Sequence, residues 1–306
     1  RFLPVMASGN TVTIHPRAAT LAYNQSYYVT MESGAILDAT GASFTGIADA
    51  GAWRFTTRNA GPLPGTASVT VAADGSGDFS TVQGAIDFVP AGNTARVLIT
   101  VQRGTYAEIN YIGSGKPFIT IRGEDRAGTI IAYPNNNNFN SGNNRAMFSV
   151  DANDFTLETI TLRNTTPRGG SQAEAIRGNG QRAVFNRVNL SSYQDTLLWN
   201  GTLFVTDSFI EGDVDFMWGS GAGYFQRCEL KMLSSGGFYT QVRNGQTGRG
   251  NIYVDCRLTA ADGVTGAYLA RIDPRADPAL TSGWPYSQVV FLNCTMGAHV
   301  AREGWR

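Results

Sequence analysis

An all-β chain wound as a right-handed parallel β-helix is the fold class this sequence predicts, and three observations carry it. Glycine is abundant, 36 of 306 residues, and many short Val/Ile/Phe/Tyr-rich runs alternate with Gly/Asn/Asp turns. Helical periodicity is scarce. Finally, one pattern recurs along the chain: "FTLETITL" from Phe155, "FNRVNL" from Phe185, "FVTDSFI" from Phe204, "FQRCEL" from Phe225, "YVDCRL" from Tyr253 and "FLNCTM" from Phe291. Each begins on an aromatic residue and ends on apolar ones, at separations of roughly 20 to 40 residues, the range of solenoid repeats. Strands of this length without helices between them fit a β-helix better than a βαβ fold. A sandwich would not make one pattern recur in phase.

Taken in order, the first pieces are strand-like: "TVTIHP", "SYYVTME" and "AWRFTTR". The stretch "LAYNQSYYVTMESGAILDATGASFTGI", with "WRFTTR" after it, resembles the latter half of a bacterial immunoglobulin-like module, a partial β-sandwich over residues 1–59. The module's first half is expected to be missing, and its remaining strands then to have exposed edges. "RNAGPLPGTAS" (Arg58–Ser68) reads as a linker, drawn at residues 60–66. Residues 67–306 form the second domain. The best helix candidate is "DFSTVQGAIDFVP", where Val82, Ala85, Ile86 and Val89 share one face, Ser80 or Thr81 caps the start and Pro90 stops it.

Composition narrows the function. With 42% hydrophobic residues the chain folds around a sizeable core, and a net charge of zero gives no reason to expect nucleic acid or an anionic membrane as partner. No apolar run is long enough to cross a bilayer. Cys228, Cys256 and Cys294 lack metal or redox spacing; they fall at one place in the last three repeats and are expected to stack as free thiols in the core. His15 and His299 are the histidines, which leaves little from which to build a Ser-His-Asp triad.

The repeat also organises chemistry. Coils stack about 4.8 Å apart, so residues one coil apart in sequence sit nearly on top of one another. Gln172, Gln194/Asp195 and Asp215 are spaced in this way and converge on one outer face. Two carboxylates in contact do not ionise together, which separates an acid from a nucleophile or base. Neighbouring amides donate to a developing oxyanion. An arginine would hold one carboxylate charged, and Arg243 and Arg271 are the candidates.

At this point a family resemblance becomes specific. "GDFSTVQGAID", "GTYAE", "QAEAIR", "YQDTL", "GDVDFMWG" and "YLAR" occur in the order found in pectin methylesterases, carbohydrate esterases with a right-handed parallel β-helix. The resemblance implies Asp215 as nucleophile on the C6 methyl ester of galacturonate and Asp195 as general acid, then base. It implies Gln172 and Gln194 as oxyanion donors and Arg271 as the partner that orients Asp215. It implies no metal or organic cofactor, a methyl-esterified homogalacturonan substrate, a monomer, and secretion to the extracellular space. Trp218, Tyr193, Phe238, Tyr239 and Arg243 are the candidates for binding the sugar chain.

Departures from the family sharpen the expectations. Ile272 and Asp273 follow Arg271 where the family has Pro-Trp, so the tryptophan that would stack on a sugar ring is missing. Asp213 replaces the usual Thr and Glu174 an apolar residue; their charges are expected to raise the pKa of Asp215 and repel an anionic polymer. The end of the chain at "GAHVAREGWR" is expected to fall short of the C-terminal segment such proteins usually carry. "NNNNFNSGNN" (Asn135–Asn144) reads as a solvent loop, with the cleft rim as its functional alternative. Other readings stay open at this level: Gln172 and Gln194 as an interior amide ladder, Arg271 paired with Asp273 on the surface, and Trp218 and Tyr193 as core. For the whole protein the alternatives are a calcium-dependent lyase, a glycoside hydrolase on the same polymer, or a non-catalytic polysaccharide-binding relative.

Overall fold

A computed structural model of the chain describes residues 5–8, 10–14, 21–271 and 284–306. Two compact units divide at residue 64, Leu3–Pro64 and Gly65–Arg306. In the first, Val5–Ser8 pairs antiparallel with Thr11–Ile14, and Ser26–Tyr28 antiparallel with Arg54–Thr56. Tyr27 stacks on Phe55 at 5.8 Å across the second pair.

The second unit is the β-helix. Three sheets of nine, eight and seven strands run its length, and every strand pair in them is parallel. Each coil contributes one strand to each sheet, so the chain turns three corners per coil. The corner inside the repeated motif is made by one residue in the left-handed conformation: Thr159, Arg187, Asp207, Arg227, Asp255 and Asn293 all have φ between 51° and 53°. A single such residue bends the chain sharply without breaking the pairing on either side. The repeat in the sequence is therefore the repeat of this corner.

Register corrects the phase of two repeats. Leu157, Phe185, Val205, Phe225, Tyr253 and Phe291 are the residues that align across the nine-stranded sheet. Phe155 and Phe204, the aromatic starts of their motifs, lie two and one positions earlier. Phe155 still packs inside, edge-on to Phe185 at 6.2 Å, whereas Phe204 is half-exposed against Tyr224. A side chain alternates between faces along a strand, so a one-residue offset moves Phe204 from the core to the outer face. Further along, Phe225, Tyr253 and Phe291 stack face to face at 4.7 Å per step. Cys228, Cys256 and Cys294 follow the same corner in register, as free thiols, with Cys228 and Cys256 fully inside.

The helix forms at Val82–Phe88, with the Thr81 hydroxyl accepting from the Gly84 N–H and Val82, Ala85 and Ile86 buried. Its first turn has a second cap. The Glu108 carboxylate accepts from the Val82 and Gln83 N–H groups, each at 2.9 Å. This gives the "GTYAE" motif a structural job, since orphan N–H groups at a helix start need acceptors.

Candidate active site

The site lies where the eight-stranded sheet hands over to the seven-stranded one. Phe209–Gly212 ends, the chain turns through Asp213-Val214-Asp215, and Met217–Gly219 begins. Gly212 permits the tight reversal: a Cβ there would lie 2.3 Å from Phe216 Cβ. Phe216 is fully buried, anchoring the turn from inside, and its neighbour Asp215 sits at the corner with φ 49°. One coil earlier, Asn189–Ser191 and Leu197–Trp199 flank Asp195, which has φ 68°. Gln194 pairs in parallel with Val214, and the Asp195 N–H donates to the Val214 carbonyl at 3.1 Å. Asp195 and Asp215 are thus equivalent positions of adjacent coils, and both are buried.

Their surroundings differ. An Arg271 Nη2 lies 2.5 Å from Asp215 Oδ2, while Asp215 Oδ1 is buried and has no hydrogen-bond partner among the described residues. Burial pushes the Asp215 carboxyl up to about 6, against the pull of Arg271 and Arg243. Asp195 is pushed up to about 8, by burial first and then by Glu174, with Arg145 opposing and Asp215 adding to the rise. Asp215 loses its proton first, so its charge acts on Asp195. The pair is separated in the sense an acid and a nucleophile require.

Both glutamines are half-buried beside the dyad rather than laddered in the interior. The Ser171 hydroxyl donates to Gln172 Oε1 at 2.8 Å, which leaves the amide's Nε2 as the donor side. A cavity of about 340 Å³ is lined in part by Arg168, Ser171, Tyr193, Gln194 and Asp213, next in sequence to Gln172, Asp195 and Asp215 but not lined by them.

The proposed sugar contacts divide. Trp218 is half-buried with Arg243 over its ring at 4.3 Å, and Arg243 also lies over the Trp284 ring at 4.4 Å. Tyr193 is exposed, and Phe238 is half-buried beneath Arg271 at 5.4 Å. Tyr239 does not belong with them. It is fully buried against Phe216, its hydroxyl donating to the Thr259 carbonyl and lying 2.8 Å from His299 Nε2. Phe238 and Tyr239 are consecutive in one strand, so they face opposite sides of the sheet.

Ile272 and Asp273, which follow Arg271, lie outside the described residues; Trp284 brings a further ring to Arg243. Two other expectations change. The charges that act on Asp215 are those of Arg271 and Arg243, whereas the Asp213 carboxylate accepts from Ser234 at 3.1 Å and faces Arg168 at 3.4 Å. Glu174 acts on Asp195 instead, and it is held by Arg145. Arg145 is the residue the sequence reading missed, at the end of the Asn-rich loop. That loop is stapled rather than free: Asn135 is fully buried, donating to the Asn144 and Ala146 carbonyls at 2.8 Å. Among the described residues no cluster of three or more His, Cys, Asp or Glu side chains is placed to hold a metal ion.

Known proteins match this architecture. The pectinesterase family model covers residues 68–306, and that of a bacterial Ig-like domain covers residues 3–57. Pectinesterase 31 of Arabidopsis thaliana is 32% identical over 259 residues, 78% of this chain and 77% of the relative. Pectinesterase 2 of Olea europaea is 33% identical over 248 residues, 78% of this chain and 64% of the relative. Among solved structures, the pectin methylesterase from carrot superposes with a TM-score of 0.71 at 27% identity, over 80% of this chain and 78% of that one. A pectin methylesterase in complex with a hexasaccharide gives 0.66 at 26%, over 76% and 79%. Fold and matches together define a carboxylic ester hydrolase on a parallel β-helix. The chain belongs to the pectinesterase family.

Proposed function

We propose that this chain hydrolyses the C6 methyl esters of homogalacturonan, giving methanol and pectate, with Asp215 as nucleophile and Asp195 as acid and base. The observation that carries the residue roles is the asymmetry of Asp215. Its Oδ2 is tied to Arg271 and its Oδ1 has no partner among the described residues, so one lone pair remains for a carbonyl carbon.

Asp215 Oδ1 attacks the ester carbonyl, and charge develops on the carbonyl oxygen. Gln172 and Gln194 donate to that oxyanion. As the tetrahedral intermediate collapses, the C–O bond to methoxide breaks and Asp195 delivers its proton, releasing methanol. An anhydride now joins Asp215 to the galacturonyl group. Asp195, now a carboxylate, takes a proton from water, whose oxygen attacks the same carbon and frees Asp215. Arg271 offsets the charge of Asp215 whenever it is free, which keeps it a competent leaving group. All these side chains come from one chain, so the site is complete in a monomer. A polymeric wall substrate places the enzyme outside the cell.

The test is methanol release from highly methylated pectin, with the absorbance of unsaturated products followed in the same tube. Methanol without new double bonds is the expected result. Unsaturated products without methanol would transfer the assignment to a lyase, and silence from folded protein to a binding module.

A further inference from the structure

Asp195 is held by an ion pair that has no part in the bond-making steps above. The Arg145 guanidinium donates through Nε and Nη2 to Glu174, at 2.7 to 3.1 Å, and through Nη2 to Asp195 Oδ2 at 2.7 Å. Neither partner is a surface group. The Glu174 side chain is 1% exposed, Asp195 9% and Arg145 16%. The loop that delivers Arg145 is pinned by the buried Asn135, which also accepts from Asn140 Nδ2 at 2.8 Å. Glu174 is placed two residues before the strand Ile176–Gly178, and its carbonyl accepts from Asn164 Nδ2 at 3.0 Å.

A lone arginine on Asp195 would orient it but would also favour its charged form, and a carboxylate cannot protonate methanol. The charge of Glu174 removes that conflict. We infer that Arg145 and Glu174 form a net-neutral clamp on Asp195: Arg145 fixes the carboxyl in place, and Glu174 cancels the charge that would otherwise hold it ionised. Both are positioning residues, and the inference rests on the acid/base role proposed for Asp195.

The other charges near Asp195 do not replace this arrangement. Asp215 faces it from the next coil and is engaged by Arg271. Arg243 approaches from the coil after that, its guanidinium bonded to Gln241 Oε1 and packed on the rings of Trp218 and Trp284. Arg177 turns to the Asn143 carbonyl, and Asp213 faces Arg168. Only Arg145 among the described residues makes a side-chain hydrogen bond to Asp195.

Glu174→Gln keeps the shape and an acceptor for Arg145 while removing the charge. With the positive charge unopposed, Asp195 becomes harder to protonate. The alkaline limb of the kcat/KM profile should move to lower pH by about one unit or more, with about tenfold lost above the limb. Glu174→Asp should restore much of the limb. The double variant Arg145→Met/Glu174→Val removes both charges and replaces a buried ion pair with apolar groups, a change that folds tolerate. It should bring the limb back toward that of the unaltered chain while kcat falls roughly tenfold from lost orientation. A Glu174→Gln profile that superimposes on the unaltered one overturns the inference, and if that variant does not fold, a double variant with unchanged kcat does so. Asp195→Asn separates the two levels. If it is inactive while Glu174→Gln superimposes, only the clamp falls; if it turns over normally, the role of Asp195 falls and the clamp with it.

Discussion

Asp195 and Asp215 stand one above the other at the same corner of adjacent coils, with φ of 68° and 49°, joined by the Asp195 N–H to Val214 carbonyl bond at 3.1 Å. A left-handed corner turns each carboxyl out of the strand direction. The repeat then stacks the two without any contact between distant elements. Asymmetry enters only through their partners, Arg271 on one and the Arg145–Glu174 pair on the other.

Replacing Asp215 by Asn keeps the side chain's shape and removes its nucleophilicity. Methanol release should fall on the order of 1,000-fold or more, while the circular dichroism spectrum stays that of the unaltered β-helix. Substantial turnover in the folded variant would remove Asp215 as nucleophile.

On the proposed roles, the reaction needs Asp215 ionised and Asp195 protonated. Activity should rise with pH as Asp215 loses its proton near about 6 and fall as Asp195 loses its own near about 8. A kcat/KM profile measured from pH 4 to 10 should be bell-shaped with its maximum between those values. A single rising curve would contradict the assignment of acid and nucleophile. The two limbs belong to the interacting pair rather than to isolated side chains.

Asp195 also links pH to stability. Its folded carboxyl keeps a proton to about 8, well above the ordinary value of 3.8, so the folded state binds the extra proton between these values. Its contribution to stability is therefore full below about 4, is lost progressively as pH rises, and levels off beyond about 8. Asparagine does not titrate. The Tm of Asp195→Asn relative to the unaltered chain should climb from pH 4 to 8; a constant difference would show that the folded carboxyl ionises normally.

In the proposed mechanism Gln172→Ala removes a donor to charge that exists only in the transition state. A fall in kcat of about 100-fold or more with little change in KM is expected. An equal loss expressed in KM alone would make Gln172 a ground-state contact.

Tyr239→Phe tests the correction to the sugar-binding set. Losing the hydroxyl leaves the Thr259 carbonyl without that donor and should destabilise the fold by about 1 to 3 kcal/mol in urea unfolding, with KM for pectin unchanged. A raised KM at full stability would return Tyr239 to the cleft.

The site was legible where chemistry followed the period of the coil. Gln172, Asp195 and Asp215 are related by near-coil spacing, and Arg271 stands within its own motif, so linear spacing approximates distance in space. Trp284 and Arg145 were not legible for the opposite reason. Trp284 reaches Arg243 only because the chain returns after residues 272–283, and Arg145 reaches Asp195 only because Asn135 pins a polar loop whose composition resembles solvent-exposed turns. The phase of Phe155 and Phe204 was misread because a strand admits an aromatic residue on either face, and only the αL corner marks the register.

What the sequence by itself determined is the parallel β-helix, its stacked cysteines, its capped helix and the stacking of Asp195 and Asp215 on adjacent coils. All of these are written in residue type and period, which local backbone preference and coil stacking convert directly into geometry. The tertiary structure alone decided the partners of each carboxyl: Asp215 half-engaged by Arg271, Asp195 shared with the Arg145–Glu174 pair, Asp213 bonded by Ser234 and facing Arg168. The physical reason is that protonation depends on burial and on charges brought close through space, and those charges come from loops with no fixed period.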